Sequence, residues 1–172
     1  MHDWQNIAEQ HGPLVWNVAY RVLQNRNDAA DCHQEVFVDA MGRTAGKTID
    51  NWAAFLRWLT VQRAIDRLRS RNRQYQRICA EQPVDELPIA SSAGNEVEWN
   101  ELIEIVRQKL TRIPVAQAQV FWLNCVEDVD LADIAEQLNI TANHARVLLH
   151  RSRVRLRTAL SQSHPSLVER QK

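Results

Sequence analysis

The chain has 172 residues, 45% of them hydrophobic, with 21 basic and 21 acidic side chains and no net formal charge. That is room for one domain or two small ones around a real core, and it excludes a disordered chain. With only four glycines, few turn signals and no sustained strand-like alternation, the expected class is all-α.

Residues 3–24 carry an apolar stripe of Ile7, Leu14, Val15, Val18, Val22 and Leu23 at helical spacing, with a break expected at Gly12-Pro13. A second helix is expected from Asp28 to Met41, ending near Gly42, and GRTAGKTIDN reads as a loop. A third starts at Asn51 or Trp52 and runs to Asn72 or beyond. Together these make a three-helix bundle over residues 1–77. Residues 78–95, with Pro83, Pro88, Ser91, Ser92 and Gly94, read as a flexible linker. Four helices are expected after it, at 96–112, 115–127, 130–138 and 142–160, in a second domain over 96–162. Pro114 suits the first turn of the 115–127 helix. Residues 163–172 read as a tail.

Cys32, Cys79 and Cys125 are far apart and odd in number, and no CxxC or Cys/His pair has zinc spacing. Neither a disulfide framework nor a metal or cofactor site is expected, and a reducing cytoplasm fits. The N-terminus lacks the pattern of a signal peptide, and no apolar run approaches a membrane span. No nucleophile, base and orienter recur together, so no enzyme activity is expected.

Zero net charge hides a pattern. Five arginines lie at 67, 69, 71, 73 and 77, and five more at 146, 151, 153, 155 and 157. Between Ile78 and Val106 there is no Lys or Arg but there are seven acids. Two basic islands flanking an acidic segment point to a polyanion touched at two places.

The second island lies in LADIAEQLNITANHARVLLHRSRVRL, residues 131–156. Ala132, Ile134, Ala135 and Leu138 give a short apolar-faced helix, and Asn139-Ile140 a joint. Thr141 is a suitable N-cap for the longer helix that follows. Ala145, Leu149, Ser152 and Leu156 form that helix's buried stripe. His144, Val147, Arg151 and Val154 lie opposite, flanked by Asn143, His150 and Arg155. This is the helix-turn-helix pattern, whose second helix enters the major groove. The alternative is a solvated arginine face.

In DAADCHQEVFVDAM, Asp28, Asp31, Glu35 and Asp39 fall on one helical face without a basic residue between Asn27 and Gly42. Such a stripe, lacking an internal partner, asks for a basic surface on another molecule; a solvated helix face is the plain alternative. In FLRWLTVQRAIDRLRSRNR, aromatic residues beside arginines suit single-stranded nucleic acid, with rings stacking on bases. For Trp52 and Trp58 individually, a core role is the simpler reading.

Three segments, in this order, resemble the extracytoplasmic-function group of bacterial sigma factors. NDAADCHQEVFVDA resembles the helix that docks on the RNA polymerase clamp. AAFLRWLTVQRAIDRLRSRNR resembles the promoter-melting and −10 helix. Residues 110–160 resemble the −35-binding domain. The resemblance implies polymerase contacts at Asp28, Asp31, Gln34, Glu35, Phe37 and Asp39. It implies −10 and melting contacts at Arg57, Trp58, Arg63, Asp66, Arg67, Arg69, Arg71 and Arg73, with the loop 43–51 capturing an unstacked base. It implies −35 contacts at Thr141, Asn143, His144, Arg146, Val147, His150, Arg151, Arg153 and Arg155.

Three positions depart from the family pattern. Cys32-His33 stands where two aliphatic residues are usual, Val61-Gln62 where Arg-Asn is common, and Val147-Leu148 where Ser-Arg is common. The last removes a polar reader, so apolar contact with thymine methyls is expected there. The expected function is promoter recognition, melting and initiation. Core RNA polymerase (clamp and flap) and promoter DNA, duplex at −35 and single-stranded at −10, are the expected partners; an anti-sigma factor stays open. The rivals are a stand-alone helix-turn-helix regulator and a helical interaction adaptor.

Overall fold

The computed structural model describes residues 2–81 and 95–163, all-helical with no strand among them. The expected linker core (82–94) and most of the tail (164–172) lie outside the described residues.

Helix α1 spans Trp4–Leu23. Asp3 caps it, accepting the Asn6 N–H at 3.2 Å. The break expected at Gly12-Pro13 does not occur: Pro13 lies inside a continuous helix. Burial of Ile7 before it and Val15, Val18 and Val22 after it outweighs one missing backbone hydrogen bond. Gly12 is buried where a Cβ would come 3.5 Å from the His33 ring.

Helix α2 spans Arg26–Arg43 and begins two residues earlier than expected, because Asn25 supplies the cap to the Asp28 N–H at 3.0 Å. It ends at Thr44, whose buried hydroxyl donates to the Ala40 carbonyl at 2.7 Å. Gly46, at φ 73°, takes the left-handed position of the turn that follows. Helix α3 spans Trp52–Glu81, about 45 Å of rod. Asn51 caps it through the Ala54 N–H at 2.9 Å. These three helices pack together around Val15, Val18, Val22, Cys32, Val36, Leu56, Leu59 and Ile65, all fully buried.

The second half comprises α4 (Asn95–Leu110), α5 (Val115–Cys125), α6 (Leu131–Gln137) and α7 (Ala142–Ser163). Pro114 precedes the first turn of α5 as its cap residue. Trp122, Leu123, Ile134 and Ala145 are fully or almost fully buried where α5, α6 and α7 meet.

The two expected helical domains, joined by the linker segment, also touch directly. Helix α3 lies against α5 and α6, and buried residues of both halves form one continuous apolar cluster. The last four carbonyls of a helix have no partner within it. At the end of α1, Tyr20 O accepts from the Gln24 N–H at 2.8 Å and Arg21 O from the Gln24 side chain at 3.4 Å. Val22 O and Leu23 O accept from Arg107 of α4, the latter at 2.8 Å. In the other direction, Arg69 of α3 donates to Leu110 O at the end of α4 and to Ile113 O. Asn72 bonds Thr111 at 3.0 Å, and Arg21 pairs with Glu127 at 3.0 Å.

Among the described residues no helix is long and apolar enough to cross a membrane, and no cluster of His, Cys, Asp or Glu is placed to hold a metal. Cys32 is enclosed, and burial pushes its thiol up to about 12, which makes it a small core residue. Its neighbour His33 is half-buried beside Trp16 and Phe37, not on the open surface, and burial lowers its pKa despite the bond to the Gly12 backbone.

Candidate nucleic-acid interface

Helix α6, its joint and α7 build one helix-turn-helix unit. Asn139 adopts φ 51°, a left-handed conformation that asparagine tolerates. Ile140 then returns its N–H to Ala135 O at 2.9 Å, turning the chain. Thr141 caps α7, its hydroxyl accepting the His144 N–H at 3.1 Å. Ala145, Leu149, Ser152 and Leu156 are buried as the stripe requires. Asn143, His144, Arg146, Val147, His150, Arg151, Val154 and Arg155 are exposed. His150, Arg151, Val154 and Arg155 line a shallow depression on the open face. Arg153 departs from the expected face: it leans on α5, with its guanidinium 3.5 Å from Cys125 Sγ. Helix α7 carries no acid along its length, and among the described residues its arginines make no ion pair. Its positive charge therefore faces outward uncompensated.

The first island differs. The acidic stripe of α2, expected to lack an internal partner, is paired along its length with arginines of α3. Arg67 bonds Asp31 at 2.9 Å and Glu35 at 2.7 Å. Arg71 reaches Asp28 at 2.9 Å. Arg63 bonds Asp39 at 2.7 Å, and Arg43 bonds the other oxygen of Asp39 at 2.9 Å. The helical period explains it. Residues 63, 67 and 71 recur at four-residue spacing on α3, as 31, 35 and 39 do on α2, so two packed helices bring the rows together. Partial burial pushes the Asp39 carboxyl up, but the hydrogen bonds and charges of Arg43 and Arg63 outweigh it and hold it below the usual range. Desolvation works against the Arg67 guanidinium, and Asp31 and Glu35 more than offset it.

The ladder leaves one face of α2 open. Asp31 and Glu35 side chains remain 63% and 52% exposed, and a carboxylate can accept more than one bond per oxygen. With Gln34, Val38 and Gly42 they line an open hollow. Val38 is 70% exposed and Met41 is exposed one turn on. Neither was nominated from the sequence, although 34, 38 and 41 share one helical face. Phe37, expected as a polymerase contact, is instead buried, packing edge-on to His33 with 5.1 Å between ring centroids.

On α3, Asp66 and Arg73 are exposed and Arg57 is half-buried. Trp58 packs beside Phe55 with the Arg43 guanidinium 5.5 Å from its ring centroid, and its buried indole N–H has no partner among the described residues. Trp52 is held edge-on by His2, Trp4 and Phe55. His2 also bonds Lys47 O at 2.8 Å, tying the N-terminus to the 43–51 loop. Arg69 is turned toward the second half and away from solvent, and burial lowers its pKa. Arg107, 2% exposed, has a pKa lowered by burial despite its bond to Glu104. Nothing in its sequence spacing marked it out.

Comparison with known proteins matches two separate parts of the chain. The Sigma-70 region 2 family pattern matches residues 7–74. The Sigma-70, region 4 pattern matches residues 103–156. The chain is similar to the ECF RNA polymerase sigma factor SigW of Bacillus subtilis, 24% identical over 163 residues that cover 90% of this chain and 87% of that protein. It is also similar to the ECF RNA polymerase sigma factor SigE of Mycolicibacterium smegmatis, 25% identical over 170 residues, 94% of this chain and 63% of that protein. In fold it resembles the sigma factor RpoE, solved in complex with the anti-sigma factor NepR from Bartonella quintana. That match has a TM-score of 0.55 at 14% identity and covers 95% of this chain and all of the other.

Proposed function

Because this chain belongs to the extracytoplasmic-function group of the sigma-70 family, and so directs RNA polymerase in promoter recognition and transcription initiation, we propose a division of that work among the surfaces described above. The exposed face of α2, with Asp31, Gln34, Glu35, Val38 and Met41, docks on the polymerase. A mixed acidic and apolar face suits a basic surface with an apolar centre. Phe37 supports that face from beneath, and Asp28 and Asp39 brace it through α3. The exposed side of α3, with Asp66 and Arg73, and the 43–51 loop hold the opened −10 strand. Arg57, Trp58 and the ladder arginines Arg63, Arg67 and Arg71 lie along the same path.

Helix α7 reads the −35 duplex. Asn143, His144, Arg146 and Val147, near its start, face base edges, and Val147 offers a methyl-sized contact for thymine. His150, Arg151 and Arg155, further along, hold phosphates, which position without specifying. The chain supplies binding only; phosphodiester chemistry belongs to the polymerase, beside which the protein acts in the cytoplasm. An anti-sigma factor is a fitting regulatory partner, since the RpoE structure is of such a complex.

The uncompensated arginine face of α7 is the observation that carries this reading. Run-off transcription with core polymerase on a promoter library tests it. Wild-type chain should direct initiation from a defined promoter class. Val38→Asp should lose polymerase binding with helicity unchanged, since Val38 takes part in no ion pair. DNA binding at palindromic sites without polymerase would favour the stand-alone regulator instead.

A further inference from the structure

We propose that His2 is a positioning residue for the −10 contact: its bond to Lys47 O fixes one peptide plane of the 43–51 loop, so that the Thr48 N–H is presented to an acceptor on the edge of the captured base. The proposal rests on the reading above, in which that loop holds the opened −10 strand.

The loop is held at both ends and in the middle. Thr44 ends α2 with its hydroxyl on Ala40 O, and Asn51 caps α3. Between these ends, residues 45–48 and Asp50 are exposed. The Lys47 N–H bonds back to Thr44 O at 3.0 Å, in the turn where Gly46 takes φ 73°. Among the described residues, the one hydrogen bond that reaches 45–50 from outside the loop is made by His2, from Nε2 to Lys47 O at 2.8 Å. A carbonyl only accepts, so Nε2 carries the proton in this contact.

His2 is itself held. Its ring lies edge-on to Trp52 at 4.9 Å between centroids and to Trp4 at 5.8 Å. Trp4 meets Trp52 at 5.3 Å, Trp52 meets Phe55 at 6.0 Å, and Phe55 meets Trp58 at 5.9 Å. The three rings of α3 recur at three-residue spacing, which makes each the neighbour of the next on the helix surface. All four of these side chains pack against the core. Arg43, where the loop begins, sits 5.5 Å from the Trp58 centroid at the far end of the row. The loop therefore starts at one end of an aromatic row and has its middle tied to the other. A ring wedged among rings has lost its rotamer freedom beforehand, so the tie adds no ordering cost when DNA arrives. His2 and Trp4 precede the residues that match Sigma-70 region 2, and the anchor lies outside that family pattern.

The consequence lies in the next amide. A peptide unit is planar and trans, with its C=O and N–H pointing in opposite directions, and no described peptide bond is cis. With Lys47 O turned to His2, the Thr48 N–H points away from the aromatic row. Among the described residues it has no acceptor. An unstacked base exposes acceptors on edges that pairing would otherwise occupy. A donor fixed in direction discriminates among bases, because a base that places a donor there leaves both groups unpaired.

Two substitutions separate the bond from the ring. His2→Phe keeps a ring between Trp4 and Trp52 and removes the donor. His2→Gln removes the ring and keeps an N–H of similar reach. Each is compared with wild type as full chain bound to core polymerase, on single-stranded −10 oligonucleotides carrying each base in turn. Binding of −35 duplex and thermal melts accompany this, and cleavage after Lys47 by a lysine-specific protease reports loop order without DNA. His2→Phe should be cleaved faster after Lys47. It should lose about three- to tenfold in affinity for the preferred oligonucleotide, the worth of one neutral hydrogen bond, with preference flattened at one base. Its −35 affinity and melting temperature should hold, and His2→Gln should recover part of the preference. Affinity that falls alike for every base together with the melting temperature would overturn the positioning role, as would unchanged cleavage after Lys47. Base preference present in wild type and intact in His2→Phe would overturn the proposal alone. A wild type with no base preference would overturn the reading of the loop, and the proposal with it.

Discussion

The two arginine islands have the same number of arginines over a similar length of chain, yet they are differently placed. On α3, Arg63, Arg67 and Arg71 meet a row of carboxylates on α2, and Arg69 reaches the other half. On α7 the arginines face solvent beside histidine, valine and asparagine, with Arg153 leaning on Cys125. Three of the five arginines of the first island, Arg67, Arg69 and Arg71, are part of the scaffold before any nucleic acid arrives, whereas Arg73 and Arg77 are exposed. The second island is free. A count of basic residues therefore measures potential for DNA contact, and the neighbours decide how much of it is available without rearrangement.

That contrast breaks most readily at Arg146. Replacing it with Ala should cost about 1–3 kcal/mol on the preferred −35 sequence and relax choice at one base pair, with no change in melting temperature. Binding-sequence selection beside thermal melts checks both halves of the statement; a lost melting temperature with an unchanged sequence preference would reverse the roles given to the two islands.

The ladder should respond in the opposite sense. Asp39→Asn should lower stability by about 1–2 kcal/mol at neutral pH, as expected for a partly buried pair with charged hydrogen bonds. Because the folded Asp39 carboxyl lies below its ordinary value of 3.8, its contribution is present above that value and disappears as pH falls through the lower folded one. Wild type and variant should thus converge in strong acid. Denaturant melts across pH read this directly, and a gap that persists in acid would mean the carboxylate's charge is irrelevant.

Arg67→Ala should be milder, about 0.5–1 kcal/mol of stability, because the two nearest of its three acidic partners are more than half exposed and solvent discounts the pairs. Its companion, Glu35→Gln, should free part of the Arg67 charge and strengthen binding of single-stranded −10 oligonucleotides. Oligonucleotide affinity unchanged in Glu35→Gln would show that the ladder does not compete with DNA.

The smallest effect is expected at Arg155. Its replacement by Ala should leave the sequence profile intact and reduce the logarithmic salt slope by about one phosphate contact. Titrations at two salt concentrations, set against Arg146→Ala, separate a phosphate holder from a base reader; identical profiles and slopes would remove the distinction.

Much of the fold was legible because it depends on local chemistry. The Thr141 cap, the Asn139 turn and the Ala145–Leu149–Ser152–Leu156 stripe each follow from a residue type at a fixed spacing, and the helix-turn-helix follows from all three together. The exposed face of α7 was legible for the same reason: once the buried stripe is known, a rigid helix leaves no choice about its opposite side. Val38 and Met41 were legible too, being on the face of Gln34, but attention to charge passed over them.

What tertiary structure decided were relations between distant segments. Asp31 and Arg67 are 36 positions apart and Arg107 and Leu23 are 84 apart, and no periodicity within one helix registers either pairing. The same acidic stripe reads as unpartnered in sequence and as a ladder in the fold, because only packing of α2 on α3 sets the register between them. Continuity of α1 through Pro13 was decided in the same way, by apolar contacts on both sides of the proline exceeding the cost of one lost bond. Arg107 is the extreme case: beside Lys109 in the last turn of α4 it looks like a surface charge, and it is buried because two carbonyls at the end of another helix need a donor that α1 itself cannot supply.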